Sequence, residues 1–343
     1  MPPSASKPVR PGPPYPGSPL RVQDLPTGCR FDERERADFL TQLSDQGKVT
    51  NARLHFPPPQ TPPKPVTLLY PFLLAVFPSW TYGLQGRGDC MGWSAAHNVD
   101  EVAAVQIALL GRRETAPALT CIEAQYGFMR VEVRGGQPDY GGDGGSPTLA
   151  AKSVLECGTL HRMQYLDGKH DLRRYDESGG RSGLWGRYGV PDELEPAAAE
   201  HWIQDIALVT DFDTAVECLS RGTPISNAHP SNPIWTERDE LGFGKKRWNA
   251  SHAMNYIGYR LGSRPGLLKI NTGHGFHVHG PMHPDDCPSA IAGCAAWEDA
   301  NVADQVLKAE WSWAYSDYIG FPKRDLNGGR VSQDQIHPNR IAA

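Results

Sequence analysis

Cys90 stands where a glycine-rich turn, Gln85-Gly-Arg-Gly-Asp-Cys90, runs into MGWSAAHNVDEVAAVQIALLG, whose pattern reads as a helix stopped by Gly111. A sulfur in the first turn of a helix lies near unpaired backbone N–H groups and the positive end of the helix dipole, which favour thiolate. The competing reading of the position alone is a small buried apolar residue. His252 opens the strand-like stretch SHAMNYIGYR and Asn271 ends GLLKIN, with LGSRP between them, so a hairpin sets the two side chains side by side. A Cys–His–Asn set performs nucleophilic catalysis: the imidazole takes and returns the thiol proton, and the amide holds the ring in one tautomer. The side-chain NH2 of Gln85, together with the Cys90 N–H, is placed to form an oxyanion hole. Taken singly, His252, Asn271 and Gln85 are ordinary polar residues at strand ends or loops; their order and context carry the case.

The elements that must position them come as helices first and strands later, which predicts an α+β chain with segregated halves rather than an alternating parallel sheet. Val66 to Phe77 reads as one or two buried strands, Thr120 to Arg130 and Pro147 to Cys157 as helices, and 161–200 as a charged, Gly-rich surface excursion. Thr214 to Ser220 is a short helix before the strand GTPISNAH. Of 31 prolines, 15 fall in residues 1–65, in two polyproline-type tracts flanking FDERERADFLTQLSDQGK, which has the composition of one amphipathic helix. The organisation expected is an extended Pro-rich arm over 1–65, a globular domain over 66–320 with a helical part near 80–160 and a β-rich part near 205–320, and an extended tail over 321–343.

Composition narrows the function classes. The chain has 343 residues, 39% apolar and 21% charged, with mean hydropathy −0.48, enough to build a globular core. A net charge of −5 argues against a nucleic-acid coat. No stretch is long and apolar enough to span a membrane, and the N-terminus lacks the apolar core of a secretory signal, so synthesis in the cytoplasm is expected. Seven cysteines, at 29, 90, 121, 157, 218, 287 and 294, show no CxxC spacing and read as a reduced chain.

At these residues the sequence resembles the papain-like cysteine peptidases. Gln85 to Cys90 resembles their nucleophile turn; Gly144-Gly145-Ser146-Pro147 with Ala150 resembles their Gly-Gly-x-Pro segment. Ser251-His252-Ala253-Met254 through Ile257-Gly258-Tyr259 resembles their His-bearing strand, and Lys269 to Thr272 their Asn-bearing one. The resemblance covers roughly residues 80–275. It implies a two-lobed fold with Cys90 in the helical lobe and His252 and Asn271 in the β-rich lobe. It also implies thiol hydrolysis of a peptide or other amide without a cofactor, and backbone contacts from Gly144 and Gly145 to extended substrate. The turn is one residue shorter than the family's, Met91 stands where a Trp is usual, and the Trp that shields the Asn–His contact is missing from TGHGFHVHG.

A second cluster, His274, His277, His279 and His283, offers imidazoles to a metal if extended, or is simply a His-rich polar loop. Trp297, Trp311 and Trp313 read as packing for a C-terminal element, or as a docking stripe. Two functional readings stay open. One is an active thiol hydrolase. The other is a papain-like scaffold in a large assembly, such as a virion or phage tail, whose Pro-rich arm contacts neighbouring subunits.

Overall fold

The computed structural model describes residues 28–55, 65–110, 118–282 and 291–316. The expected amphipathic helix forms as α1 (Glu33–Asp45), and Asp32 caps it by accepting from the N–H groups of Arg34 and Glu35. It does not belong to a free arm. Phe39 and Leu43 are buried in the same apolar cluster as Cys90, and Phe39 packs on Trp313 with ring centroids 5.8 Å apart. Residues 28–55 are therefore part of the globular body, a correction to an arm extending over 1–65. The proline tracts at 1–27 and 56–64, and the tail from 317 on, lie outside the described residues.

Of the one or two strands expected over Val66 to Phe77, β1 (Val66–Leu68) forms, and the chain then turns helical as α2 (Tyr70–Val76). Pro71 explains the difference: it occupies the first turn of a helix without loss, whereas in a strand it would remove a ladder hydrogen bond. Next come α3 (Cys90–Leu110), α4 (Ile122–Arg130) and α5 (Pro147–Glu156), close to their expected bounds. The segment 161–200 is less superficial than its composition implies. It carries α6 (Gly180–Tyr188), and Trp185, Leu194 and Ala198 bury against Phe128 and Leu160 in a core of their own.

The β-rich half contains β2 (Ile206–Val209), α7 (Phe212–Ser220), β3 (Ile225–Arg238), β4 (Gly244–Arg260), β5 (Gly266–Ile270), β6 (Ala295–Asp299), α8 (Ala300–Leu307) and β7 (Ser312–Tyr315). Among the described residues, seven strands make one sheet in the order β2-β7-β3-β4-β5-β6, with β1 paired to β4. The anticipated hairpin is β4–β5, antiparallel with Asn255 opposite Ile270. Trp297, Trp311 and Trp313 are all buried, so they pack the body. Among the described residues no helix is long and apolar enough to cross a membrane.

α3 is buried along most of its length, as expected of a helix with small and apolar residues on every side. Its register against β4 is set by polar bonds. Ser94, one turn past Cys90, donates to the Met254 carbonyl (2.8 Å), and Asn255 Nδ2 donates back to the Ser94 carbonyl (2.9 Å). Each buried bond contributes about 1 kcal/mol net, but leaving one unmade costs more, so sliding α3 along β4 is disfavoured. Nothing in sequence pattern singled out Ser94 or Asn255. Only the three-dimensional neighbourhood does.

Candidate active site

Cys90 opens α3, His252 lies within β4 and Asn271 follows the end of β5. The three are brought together, with exposures of 1%, 0% and 4%. His252 Nε2 donates to Asn271 Oδ1 (3.1 Å), and its buried Nδ1 has no hydrogen-bond partner. Burial alone pushes the Cys90 thiol up, but a hydrogen bond from Cys29, the charge of His252 and the Ala253 backbone outweigh it. The thiol is held well below its ordinary value.

The histidines of the TGHGFHVHG loop join this site. His277 donates Nδ1–H to Gly275 O (2.9 Å) and lies 3.5 Å by Nε2 from Asn271 Nδ2, which donates to it. Burial lowers the His277 pKa to about 4, with the charge of His252 adding to the effect, so the ring is neutral and able to accept. His274 is fully buried and stacks on His252, with centroids 4.2 Å apart and planes at 26°. His279 packs instead against Phe276, and His283 lies outside the described residues. Among the described residues no group of three His, Cys, Asp or Glu side chains is arranged to hold a metal ion.

Truncating the stack has a measurable consequence. His274→Ala should lower the free energy of unfolding by roughly 1 kcal/mol of ring contact beyond the lost burial, and His274→Phe should restore that contact. An alanine variant with parental stability in urea unfolding would show that the stack contributes nothing to the fold.

Gln85 is buried beside the start of α3. Its backbone N–H donates to Gly273 O (2.8 Å), tying the turn to the loop after Asn271, and its Nε2 donates to Arg87 O (2.9 Å) within the turn itself. Next to the nucleophile, Asp89 is wholly buried and accepts from Ser182 Oγ (2.6 Å) and Tyr175 OH (2.8 Å). Burial raises its pKa to about 7 in spite of those two donors. A carboxyl raised in the folded state from 3.8 to about 7 contributes stability that is complete below pH 3.8 and lost as pH rises through 7. Asp89→Asn should therefore gain on the parent by on the order of 3 kcal/mol between about pH 4 and pH 8 in urea unfolding. A difference that stays constant with pH would show that Asp89 ionises freely.

The cleft over Cys90 is occupied by the chain's own N-terminal segment. Residues 28–31 form a strap: Cys29 makes a parallel bridge to Gly145, with Arg30 N donating to Gly145 O (2.8 Å) and Gly145 N to Gly28 O (3.4 Å). Ser251 Oγ bonds both ends of the Cys29 unit, accepting from its N–H (3.1 Å) and donating to its carbonyl (3.0 Å). The Cys90 sulfur lies 3.3 Å from Gly28 O and 3.7 Å from Cys29 Sγ. Gly144, at φ +104°, allows this approach: a Cβ there would sit 3.2 Å from Gly28 O. Sequence pattern gave no sign of the strap.

No family model matches the sequence, and no curated protein matches it. Among solved structures, xylellain, a cysteine protease from Xylella fastidiosa, is similar with a TM-score of 0.51 at 13% identity, over 85% of this chain and 96% of that one. The chain has a papain-like fold. Digestive procathepsin L 3 from Tenebrio molitor larval midgut is also similar, at TM-score 0.43 and 13% identity over 82% of this chain and 79% of that one. In this papain-like frame Cys90 belongs to the helical lobe, while His252 and Asn271 come from the β-rich lobe.

Proposed function

We propose that the chain is a thiol hydrolase of peptide or other amide bonds. The observation that supports this reading is His252, which donates to Asn271 while its charge helps hold the Cys90 thiol well below its ordinary value. In the reaction the Cys90 thiolate attacks the substrate carbonyl carbon, and the Cys90 N–H with the Gln85 amide stabilises the oxyanion. The C–N bond then breaks as His252 delivers its proton to the departing amine. Water, deprotonated by His252, attacks the thioester and releases the carboxylate and the free thiolate. Asn271 keeps the imidazole in the tautomer that both steps require, and the backbone of Gly144 and Gly145 carries extended substrate once the strap has left.

Iodoacetamide near pH 6 tests the reading, since at that pH only a depressed thiol is ionised. Burial pushes Cys121 and Cys157 up to about 12 and Cys218 further still. Peptide mapping should find Cys90 alkylated well before the other cysteines, whereas equal slow labelling would overturn an activated thiol. The alternative reading, a papain-like scaffold binding neighbouring subunits in a large assembly, draws on the shortened turn before Cys90, the missing tryptophans and the Pro-rich stretches, of which 1–27 and 56–64 lie outside the described residues. His252, bonded to Asn271 and lowering the Cys90 thiol through its charge, favours the hydrolase.

A further inference from the structure

The strap sits where a substrate must sit. An acyl group has to bring its carbonyl to the Cys90 sulfur, and Gly28 O already lies 3.3 Å from it. The groups that grip the strap are therefore cleft groups, and one of them is specific. The Arg30 guanidinium enters a loop formed by residues 139–143: Nη1 donates to Asp139 Oδ2 (2.6 Å), and Nη2 to the carbonyls of Gly141 (2.8 Å) and Gly142 (2.7 Å), with Asp143 O at 3.5 Å.

This loop is built in advance of its occupant. Asp139 N donates to Arg187 O (3.0 Å), and Asp139 Oδ1 accepts from Gly141 N (2.8 Å). Arg130, itself buried, approaches Asp139 Oδ2 at 3.1 Å. Although burial pushes the Asp139 carboxyl up, these partners and Arg30 hold it below its ordinary range, so it remains ionised. Gly141 leaves the room required, since a Cβ there would stand 3.0 Å from Asp139 Oδ1 and 3.3 Å from Arg30 Nη1. Arg87 bonds Asp143, and Arg130 shares Asp139, so the loop carries little surplus negative charge. What it offers is a fork: one carboxylate oxygen and two or three carbonyls converging on the two terminal nitrogens of one guanidinium. A guanidinium supplies planar donors to match, whereas an ammonium or a neutral amide does not.

We propose that the 139–143 loop is a subsite for an arginine side chain. The substrates of this cleft are then peptides that present arginine next to the residue paired with Gly145. This inference rests on the hydrolase reading for its word substrate. The subsite itself needs only a peptide ligand.

The test uses the full chain carrying Arg30→Ala, which empties the loop and leaves its walls intact. Two acetylated, amidated peptides of the strap's own sequence over residues 27–32 are compared, each with serine at the cysteine position. One has arginine and the other citrulline, an uncharged isostere. The readout is protection of Cys90 from iodoacetamide. The arginine peptide should protect at a concentration on the order of tenfold lower than the citrulline peptide. The difference should vanish in the Arg30→Ala/Asp139→Asn double variant, in which Oδ1 can still accept from Gly141 N. Equal protection by the two peptides, no protection by either, or a preference surviving Asp139→Asn would each overturn the subsite. Thermal melting checks each variant; Arg30→Gln replaces Arg30→Ala if the latter fails to fold, and loss of the arginine preference in high salt replaces an Asp139→Asn that does. The two readings fail differently. If the chain is no hydrolase, the arginine peptide still protects Cys90 but no peptide is turned over. If the subsite is wrong, peptides are cut without preference for arginine.

Discussion

Serine in place of Cys90 should lower kcat/KM for a peptide library by on the order of 10⁴-fold. The argument is one of ionisation. His252 lends its charge to hold the Cys90 thiol low, yet the same imidazole cannot ionise a hydroxyl at neutral pH, so the attacking anion is no longer present in the resting site. The residue is 1% exposed and the oxygen smaller than sulfur, so the fold should tolerate it, with unfolding free energy changed by about 1 kcal/mol or less. Asn271→Ala should be milder, because it removes the group that orients His252 and leaves nucleophile and base in place. The measurement is steady-state hydrolysis paired with thermal unfolding. A serine variant that cuts at the parental rate would remove Cys90 from the chemistry.

Weakening the strap should have the opposite sign. Ser251→Ala deletes both bonds to Cys29, and Arg30→Ala deletes the fork to Asp139 and the Gly141 and Gly142 carbonyls. The five deleted hydrogen bonds contribute about 1 kcal/mol net each, somewhat more when charged, so the double variant should open on the order of 10³- to 10⁴-fold more often. Alkylation of Cys90 by iodoacetamide, followed by mass spectrometry at pH 6, should accelerate by that factor. The bond from Arg30 N to Gly145 O uses only backbone and survives both changes, so the strap should loosen without leaving for good. A labelling rate unchanged from the parent would show that the thiol is reached by a route that does not pass under the strap.

The sequence could be read as far as local punctuation reaches. The boundaries read at Cys90 and Asn271 hold in the fold, whereas His252, read as opening a strand, lies mid-way along β4, which begins at Gly244 because its pairing with β3 continues past the apolar stretch. The helix over 33–45 was legible from the amphipathic composition of its segment, but neither its Asp32 cap nor its destination was. A proline-rich setting suggested an arm, whereas burial of Phe39 and Leu43 depends on a cluster assembled from distant segments. The same limit hid the strap, whose residues carry no strand alternation and are ordered by Gly145 and Ser251. Val66 to Phe77 divides into the strand β1 and the helix α2 because an apolar run of that length does not distinguish strand from helix, and beyond Leu68 Pro71 decides the matter. His274 and His277 looked like metal ligands or loop polarity, since stacking and acceptor roles are properties of neighbours rather than of spacing.

The bonds running through His277, Asn271 and His252 all point the same way. Gly275 O receives a proton from His277, His277 from Asn271, and Asn271 from His252. Such a file has a polarity, and one end of it sets the other. Below about pH 4 His277 gains a second proton, and its Nε2 turns from acceptor to donor. The Asn271 amide then faces a donor with its own NH2, and turning over to offer its oxygen there would present that NH2 to the Nε2–H of His252. Every arrangement of the amide leaves one donor opposed to another. Acid thus reaches the nucleophile's partner through a side chain that never meets substrate, and does so by parity of donors and acceptors rather than by net charge.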